Sequence, residues 1–265
     1  MGTMIKLAVA ALLGAGIAAC TSVPAAPLGP ARLQAPPIDF TALLTHPERP
    51  ADDFADDRTR MPAAILEFAG VDYGMTIVEM EAGAGYYTEL LSYAVGPEGK
   101  VYMQNPQAFD GFFGDAIAAR LDNRLSNVEA MRTNFDNLTA PDQSADLVTW
   151  FLGPHELWFQ PDGAPEEAFG NPDKAFAEIA RVLKPGADFV VIDHAAPEGA
   201  PPESGSETHR IDPAIVLQYA AAAGFELIDT SDILANAADD GTVSVFDPDL
   251  RRKTNRFVFK FQLAD

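Results

Sequence analysis

Cysteine is almost absent from this chain of 265 residues, in which Cys20 is the single example. One cysteine cannot form a disulfide within the chain, and a zinc site built from several cysteines is excluded for the same reason. The hydrophobic share of 48% is nevertheless large enough for a sizeable core. The length suits one large domain, or one domain with appendages.

Basic residues are scarce as well, since 18 lysines and arginines stand against 39 aspartates and glutamates, for a net charge of -21. A nucleic-acid partner needs a basic face opposite its phosphates, and anionic lipid head groups attract basic residues too. We therefore expect no nucleic-acid partner. The acidic excess is typical of a solvated surface that keeps a protein soluble.

The longest uncharged apolar stretch near the start, residues 7–19, is too short to span a bilayer as a stable anchor. Preceded by Lys6, it instead fits the central region of a signal peptide. The box Ile17-Ala18-Ala19-Cys20 resembles the cleavage box of bacterial lipoproteins, which implies that Cys20 becomes the lipidated first residue. An ordinary secretory signal and a buried N-terminal helix are the alternatives.

These signals divide the chain into three parts. Residues 1–19 are expected to be a signal peptide, and residues 20–47 the lipidated cysteine with a tether rich in proline and alanine. The folded domain is expected at residues 48–265. We expect an exported lipoprotein that is attached to a membrane through Cys20 and faces the bacterial periplasm.

Strand and helix patterns alternate along the rest of the chain. Helices are predicted to begin at Asn171-Pro172 and Asp212-Pro213, each an N-cap followed by proline. Lys184-Pro185-Gly186 predicts a turn between a helix and a strand. The predicted strands are Thr76–Met80, Lys100–Gln104, Val128–Arg132, Ala145–Leu152, Asp188–Asp193, Phe225–Asp229 and Arg256–Gln262. This alternation predicts an α/β fold with a Rossmann-like, mainly parallel seven-stranded sheet and helices on both faces.

A glycine-bearing turn, Glu79-Met80-Glu81-Ala82-Gly83-Ala84-Gly85, joins the first predicted strand to an amphipathic helix. Glycine lets a backbone turn sharply and approach a ligand closely, so the turn predicts a site for a nucleoside-type ligand. A dinucleotide fits this turn less well. The glycine motif of dinucleotide-binding proteins has a third glycine that is missing here, and no acid ends the second predicted strand.

Five blocks carry a family resemblance, and they occur in order between about Arg49 and Phe261. They are Glu79–Leu91, Val101–Pro106, Ala145–Trp150, Leu183–Gly186 and His209–Pro213. Together they resemble the class I S-adenosylmethionine-dependent methyltransferases, and within these a group of predicted bacterial methyltransferases of unknown substrate. The resemblance implies S-adenosyl-L-methionine as the cofactor and transfer of a methyl group to a small-molecule acceptor.

The resemblance also implies which residues bind the cofactor. They are Glu79, Glu81, Ala82, Gly83, Gly85, Gln104, Asn105, Asn134 and Phe135. Three of them depart from the family pattern, which has glycine at position 81 and acids at positions 105 and 134. Asn105 and Asn134 would meet the ribose and the adenine, where an amide can still accept one hydrogen bond and donate another.

His155 follows the fourth predicted strand and is the candidate general base for the acceptor. Loops at that end of a strand face the ligand in this fold class. Asp193-His194, at the end of the fifth predicted strand, and His209 could line the acceptor site, or form a metal site with Asp212. These ligands are few and irregularly spaced, so no metal is expected. Aromatic residues around the fourth strand, among them Phe159, form either an acceptor wall or core.

Two other functions stay open at this point. An exported ligand-binding protein or pseudoenzyme on the same scaffold is one, because S-adenosylmethionine is made in the cytosol and is not expected outside it. An exported hydrolase that uses His155 is the other, but the chain has no Gly-x-Ser-x-Gly elbow. Detectable cofactor binding separates the methyltransferase from the first alternative.

Overall fold

The computed structural model describes residues 37–161, 163 and 167–264, and the structural statements below concern these residues. The predicted signal peptide and the predicted lipidation site Cys20 lie outside the described residues. Among the helices of this part of the chain, none is both long and apolar enough to cross a membrane.

The strands are β1 Thr76–Met80, β2 Lys100–Gln104, β3 Val128–Met131, β4 Ala145–Phe151, β5 Leu183–His194, β6 Phe225–Ser231 and β7 Arg256–Leu263. They pair into one sheet in the order β3-β2-β1-β4-β5-β7-β6. β7 runs antiparallel to both of its neighbours, and the other pairings are parallel. The chain order reverses between β1 and β4, which is where open α/β sheets bind ligands beyond the carboxyl ends of their strands. The predicted Rossmann-like α/β fold is confirmed.

The helices are α1 Phe40–Leu43, α2 Phe54–Arg60, α3 Pro62–Ala69, α4 Tyr86–Val95, α5 Asp110–Leu121, α6 Pro172–Val182, α7 Ser204–Thr208 and α8 Pro213–Ala222. α6 and α8 begin as predicted, because the side chains of Asn171 and Asp212 accept hydrogen bonds from N–H groups of the first turn. α7 and a 3-10 helix at Pro154–Trp158 were not predicted, since five residues are too few to show a helical period.

Both faces of the sheet are buried under helices. Successive residues of a strand point to opposite faces, so Ile77 and Val78 belong to two different hydrophobic clusters. The Ile77 cluster includes Leu90 of α4, and the Val78 cluster includes Phe176 of α6. Burial on both faces explains why the central strands read as nearly continuous apolar runs. It also leaves the carboxyl ends of the strands as the place for a polar site.

The turn predicted at Lys184-Pro185-Gly186 is wrong, because β5 begins directly at Leu183 and runs through these residues. Leu183 pairs with Ala145, and the register against β4 then shifts before the next pair. Gly186 has a φ of +71°, which fits a bulge in the strand. Proline and glycine mark bulges as well as turns, so the sequence could not separate the two.

Packing begins N-terminal to residue 48, the expected start of the folded domain. Ile38, Phe40 and Leu43 pack against the cluster that contains Ile77. Arg49 then donates hydrogen bonds to both carboxylate oxygens of Asp57, at 3.0 and 2.8 Å. The segment from residue 37 therefore contributes to the core.

Candidate active site

The glycine turn between β1 and α4 is held by two amide side chains at the end of β2. The backbone N–H of Glu81 donates to Oε1 of Gln104 at 2.9 Å. The N–H of Gly83 donates to Oδ1 of Asn105 at 2.8 Å, and Nδ2 of Asn105 donates back to the carbonyl of Gly83 at 3.0 Å. A carboxylate at position 105 could make the first of these two bonds but not the second, so the amide holds the turn from both sides.

Gly83 and Gly85 are needed in this turn for different reasons. Both have positive φ, at +57° and +85°. A Cβ atom added to Gly83 would meet nothing within 4 Å, so this glycine faces open space. A Cβ atom on Gly85 would lie 2.6 Å from Cδ of Arg120. Gly83 therefore leaves room beside the turn, whereas Gly85 lets the side chain of Arg120 in α5 pack against the turn.

A cavity of about 280 Å³ lies beside the turn, and its wall is charged. Asp53, Glu79 and Arg120 are part of this wall. Arg120 donates to the carbonyl of Ala84 at 2.6 Å and to the carboxylates of Asp53 and Glu89 at 2.9 and 2.6 Å. This guanidinium ties α5, α4 and the N-terminal segment to the turn, and we call the space the turn cavity.

Glu79 is the most deeply buried carboxyl group of the turn cavity, with 4% of its surface exposed. Its Oε2 atom accepts a hydrogen bond from the Thr88 hydroxyl at 2.5 Å. Burial raises the pKa of Glu79 to about 8, although the Thr88 hydroxyl and the Arg120 guanidinium act in the opposite direction. A group of this kind is ready to ionise when a cation binds next to it.

A second, larger cavity of about 750 Å³ is lined mainly by phenylalanine. We call it the aromatic cavity, and its phenylalanines are Phe109, Phe112, Phe113, Phe159, Phe169 and Phe246. Its ionisable wall residues are Glu81, Glu156 and His209. Glu81 and Phe113 line the turn cavity as well. The two cavities therefore meet at these two side chains.

Glu81 reaches this junction through an unusual backbone conformation. Its φ is +50°, a left-handed value that costs a residue with a Cβ atom more than it costs glycine. The carboxylate accepts a hydrogen bond from Nε1 of Trp150 at 3.0 Å. Burial raises the pKa of Glu81 well above its usual range, and the nearby carboxylate of Glu156 adds to the effect.

His155 sits in the 3-10 helix behind the aromatic cavity and is fixed by Asp193 at the end of β5. Nδ1 of His155 lies 2.8 Å from Oδ1 of Asp193, whose Oδ2 accepts the backbone N–H of His155 at 2.8 Å. Nε2 of His155 lies 3.5 Å from Oε1 of Glu156, and Nδ1 of His209 lies 3.3 Å from the same oxygen. Glu156 therefore stands between two imidazole rings.

The charges of His155 and Glu156 depend on each other. Burial by itself lowers the pKa of His155, but the carboxylates of Asp193 and Glu156 reverse this and raise it well above its usual range. Burial by itself raises the pKa of Glu156, but the imidazoles of His155 and His209 bring it down to about 2. His155 and Glu156 therefore each stabilise the charged form of the other.

Comparison with known proteins agrees with this geometry. Residues 79–191 match the methyltransferase domain family. The fold is similar to that of solved methyltransferases. A solved S-adenosylmethionine-dependent methyltransferase from Aquifex aeolicus superposes with a TM-score of 0.55 at 21% identity, covering 86% of this chain and all of that one. At this identity the likeness shows the fold alone.

Two curated relatives carry the same name, ubiquinone/menaquinone biosynthesis C-methyltransferase UbiE. The protein from Hydrogenovibrio crunogenus is 31% identical over 130 residues, which are 48% of this chain and 45% of that protein. The protein from Hahella chejuensis is 26% identical over 142 residues, or 50% of this chain and 48% of that protein. The chain spans about half the length of these relatives. The domain match and the matched parts of these relatives point to the same class of domain, a methyltransferase domain.

Most residues that the methyltransferase resemblance assigned to the cofactor are gathered at the turn. Glu79, Glu81, Ala82 and Gly83 line the turn cavity, while Gly85 precedes α4 and Gln104 and Asn105 hold the turn. Asn134 and Phe135 line neither the turn cavity nor the aromatic cavity. Nδ2 of Asn134 donates to the carbonyl of Ala168, and Phe135 is fully buried against Trp150. Their role toward a cofactor stays a prediction.

The acceptor side of the methyltransferase fold is arranged differently from the sequence interpretation. Glu156 lines the aromatic cavity and was not singled out, whereas the predicted base His155 lies behind it and is only 4% exposed. Nδ1 of His194 lies 2.7 Å from the Thr254 hydroxyl, and Asp212 caps α8. Asp193 contacts His155, so His209 is the one of these four residues that lines the aromatic cavity.

One signal for the aromatic cavity was present in the sequence. Phe112 and Phe113 are adjacent on α5, and neighbours on a helix cannot both face the same core. Phe112 is in fact 82% exposed. A large apolar side chain that a helix cannot bury is a useful mark of a binding surface.

Proposed function

We propose that the protein transfers a methyl group from S-adenosyl-L-methionine to a small molecule bound in the aromatic cavity. The observation that carries this proposal is the junction of the two cavities at Glu81 and Phe113. A cofactor held at the glycine turn and an acceptor held among the phenylalanines would meet there. Alignment of the two reactants is the main requirement of methyl transfer, because the transferred group is already electrophilic in the cofactor.

The turn cavity fits the amino-acid part of this cofactor. Gly83 leaves open space beside the backbone, and N–H groups at the start of α4 favour a carboxylate. The buried carboxyl group of Glu79 favours the ammonium group, because a cation beside it promotes its ionisation. Asn105 is occupied in holding the turn, so we assign it a positioning task rather than a contact that decides affinity.

The aromatic cavity supports a flat, mostly apolar acceptor. Phenylalanine faces and edges stack well on aromatic rings, and few polar groups interrupt the wall. The curated relatives are named for C-methylation in ubiquinone and menaquinone biosynthesis, and a ring of that general kind would suit the cavity. The carboxylate of Glu156 and the imidazole of His209 are the wall groups that can orient a polar substituent of such a ring.

Cofactor binding by calorimetry tests the proposal, with full-length protein in detergent. We expect binding of S-adenosylmethionine and S-adenosylhomocysteine, and a loss of about 100-fold or more in affinity for Gly83→Val, which fills the open space. Gly74→Val is the matched control, because Gly74 has a similar φ of +77° and also faces open space, but outside the turn. Absence of binding in the wild type, or equal losses in both variants, would contradict the proposal.

We also propose that the chain is an exported lipoprotein anchored through Cys20. The support is the sequence signal at residues 6–20, which lies outside the described residues. Expression of Cys20→Ser with an affinity tag should move the protein from the membrane fraction to the soluble fraction. Ala19→Ser serves as a control for changes near the cleavage box that keep the cysteine. An unchanged membrane fraction for Cys20→Ser would rule out lipidation as the anchor.

A further inference from the structure

We propose that His155, Glu156 and His209 form a binding site for a divalent metal ion of the zinc class at the wall of the aromatic cavity. Asp193 serves as the outer partner that orients His155. The site uses two segments that are far apart in the sequence, the 3-10 helix after β4 and the residue after α7. Each of the three residues offers one ligand atom, and these atoms all lie within 4.8 Å of one another.

The distances within this group suit a shared metal better than direct hydrogen bonds. Oε1 of Glu156 lies 3.5 Å from Nε2 of His155 and 3.3 Å from Nδ1 of His209. A charge-assisted bond between a nitrogen and a carboxylate would measure about 2.7–2.9 Å. Ligand atoms that surround a tetrahedral zinc at about 2.0–2.1 Å are separated by roughly 3.3 Å, which is close to the two distances from Glu156.

Asp193 provides the outer contact that metal-bound histidines usually have. Its Oδ1 lies 2.8 Å from Nδ1 of His155, and its side chain is fully buried. Oδ2 also fixes the backbone N–H of His155 at 2.8 Å. A metal ion would replace the proton on Nε2, which faces Glu156, while Nδ1 keeps its proton toward Asp193. A carboxylate behind a histidine in this way orients the ring and raises its basicity as a ligand.

Glu156 has a buried oxygen without a partner. Its Oε2 atom is shielded from solvent and accepts no hydrogen bond from the described residues. Buried polar atoms are almost always paired, so this unpaired carboxylate oxygen lacks a partner. A metal ion bound to Glu156 would be such a partner.

His209 is placed toward Glu156 at a conformational cost. It follows α7 with a φ of +54°, a left-handed value that is uncommon for a residue with a Cβ atom. Its ring is packed by Phe246 and Phe159, with ring centres 4.7 and 4.8 Å away. Backbone strain of this kind persists where the surrounding structure requires a particular side-chain position.

The metal site would act on the acceptor, a step that rests on the proposed methyl transfer. Three protein ligands leave a position open, and Glu156 and His209 line the aromatic cavity. A hydroxyl or thiol of the acceptor that occupies this position loses its proton to water more easily. Its oxygen or sulfur lone pair then forms the bond to the methyl carbon. The carbon–sulfur bond of the cofactor breaks, and its electron pair stays on that sulfur.

Metal titration of the full-length protein tests the site. After treatment with a chelator, we expect one equivalent of Co²⁺ to give the visible absorption of a tetrahedral ion, and Zn²⁺ to displace it in excess Mg²⁺. His209→Ala should weaken binding by more than about 100-fold, and Asp193→Asn by about 10–100-fold as an outer partner. His46→Ala is the matched control, because His46 stacks on Tyr93 away from the group.

The outcomes separate this inference from the proposed function. No tetrahedral cobalt spectrum in the wild type, or equal metal binding by His209→Ala, overturns the metal site. S-adenosylhomocysteine binding is measured on the same samples, and we expect it to be unchanged in His209→Ala, which also shows that the variant is folded. Metal binding without cofactor binding would uphold the site and contradict the methyltransferase proposal. Cofactor binding without metal binding would overturn the metal site and support the methyltransferase proposal.

Discussion

The turn cavity and the aromatic cavity share a wall but are built by different means. The turn cavity depends on backbone conformation and on charged groups, with Glu79 hydrogen-bonded to Thr88 of α4 and Arg120 to Ala84 of the turn. The aromatic cavity depends on phenylalanine side chains that come from α5, from the segment around Phe159 and Phe169, and from Phe246. The turn cavity is centred on one continuous motif, to which the N-terminal segment and α5 add charged side chains, whereas the aromatic cavity has no such central motif. A cavity of the first kind is suited to one fixed ligand, and a cavity of the second kind can change its ligand by single side-chain substitutions.

The largest effect should come from the charge of the turn cavity. Glu79→Gln should lower S-adenosylhomocysteine affinity by about 10–100-fold, because a hydrogen bond to a charged carboxylate contributes about 1.5–3 kcal/mol. Calorimetry at neutral pH measures this loss. Glu129→Gln is the control, because Glu129 pairs with Lys100 at the far edge of the sheet. Equal affinity of wild type and Glu79→Gln would show that the turn cavity does not use this carboxyl group.

Glu79→Gln should also change how the free energy of unfolding depends on pH. The pKa of Glu79 is raised to about 8, so between pH 4.5 and 8 the folded chain binds more protons at this residue than the unfolded chain does. The free energy of unfolding therefore falls as pH rises through this window, and Glu79→Gln should remove that part of the slope. Denaturant unfolding at several pH values checks it. Parallel slopes for wild type and variant would contradict the raised pKa.

A substitution in the wall between the two cavities, Gly153→Ala, should have an intermediate effect on stability. A Cβ atom on Gly153 would lie 2.0 Å from Oε2 of Glu81 and 2.2 Å from Nε1 of Trp150. Gly153→Ala should break the hydrogen bond between these two groups and lower the free energy of unfolding by about 1–3 kcal/mol. Gly111→Ala on α5 is the control, because a Cβ atom there meets nothing within 4 Å.

A double variant sharpens this test. In the Glu81→Gly background the clash with the carboxylate is gone, so Gly153→Ala should cost at least about 0.5 kcal/mol less than it does in the wild type. Denaturant unfolding of the four proteins gives the coupling energy. A coupling energy of zero would mean that Glu81 and position 153 do not interact.

The smallest effect should come from the rim of the aromatic cavity. Phe112 is 82% exposed, so Phe112→Ser should leave the free energy of unfolding within about 0.5 kcal/mol. Binding of 2-naphthol, used as a flat aromatic probe, should weaken several-fold, while S-adenosylhomocysteine binding stays unchanged. Tyr73→Ser, at an exposed aromatic residue outside the cavity, is the control. Unchanged naphthol binding by Phe112→Ser would remove Phe112 from the acceptor site.

The sequence was most informative where the residues of a feature are close together in the chain. The turn from Glu79 to Gly85 could be predicted because strand, glycines and helix follow directly, and the caps at Asn171 and Asp212 are local as well. The bulge at Gly186 could not be told from a turn, since the difference lies in the pairing with β4. Glu156 and His209 meet only through the fold, so no spacing in the sequence indicates their contact.

The contact between Glu81 and Gly153 makes the residues at these two positions depend on each other. Gly153 has a φ of -137°, which any residue can adopt, so its glycine is required by space and not by backbone conformation. A side chain at position 153 would take the space that the Glu81 carboxylate and Trp150 occupy. An acid at position 81 and a side chain at position 153 therefore compete, and a substitution at one of these positions changes which residues the other one accepts.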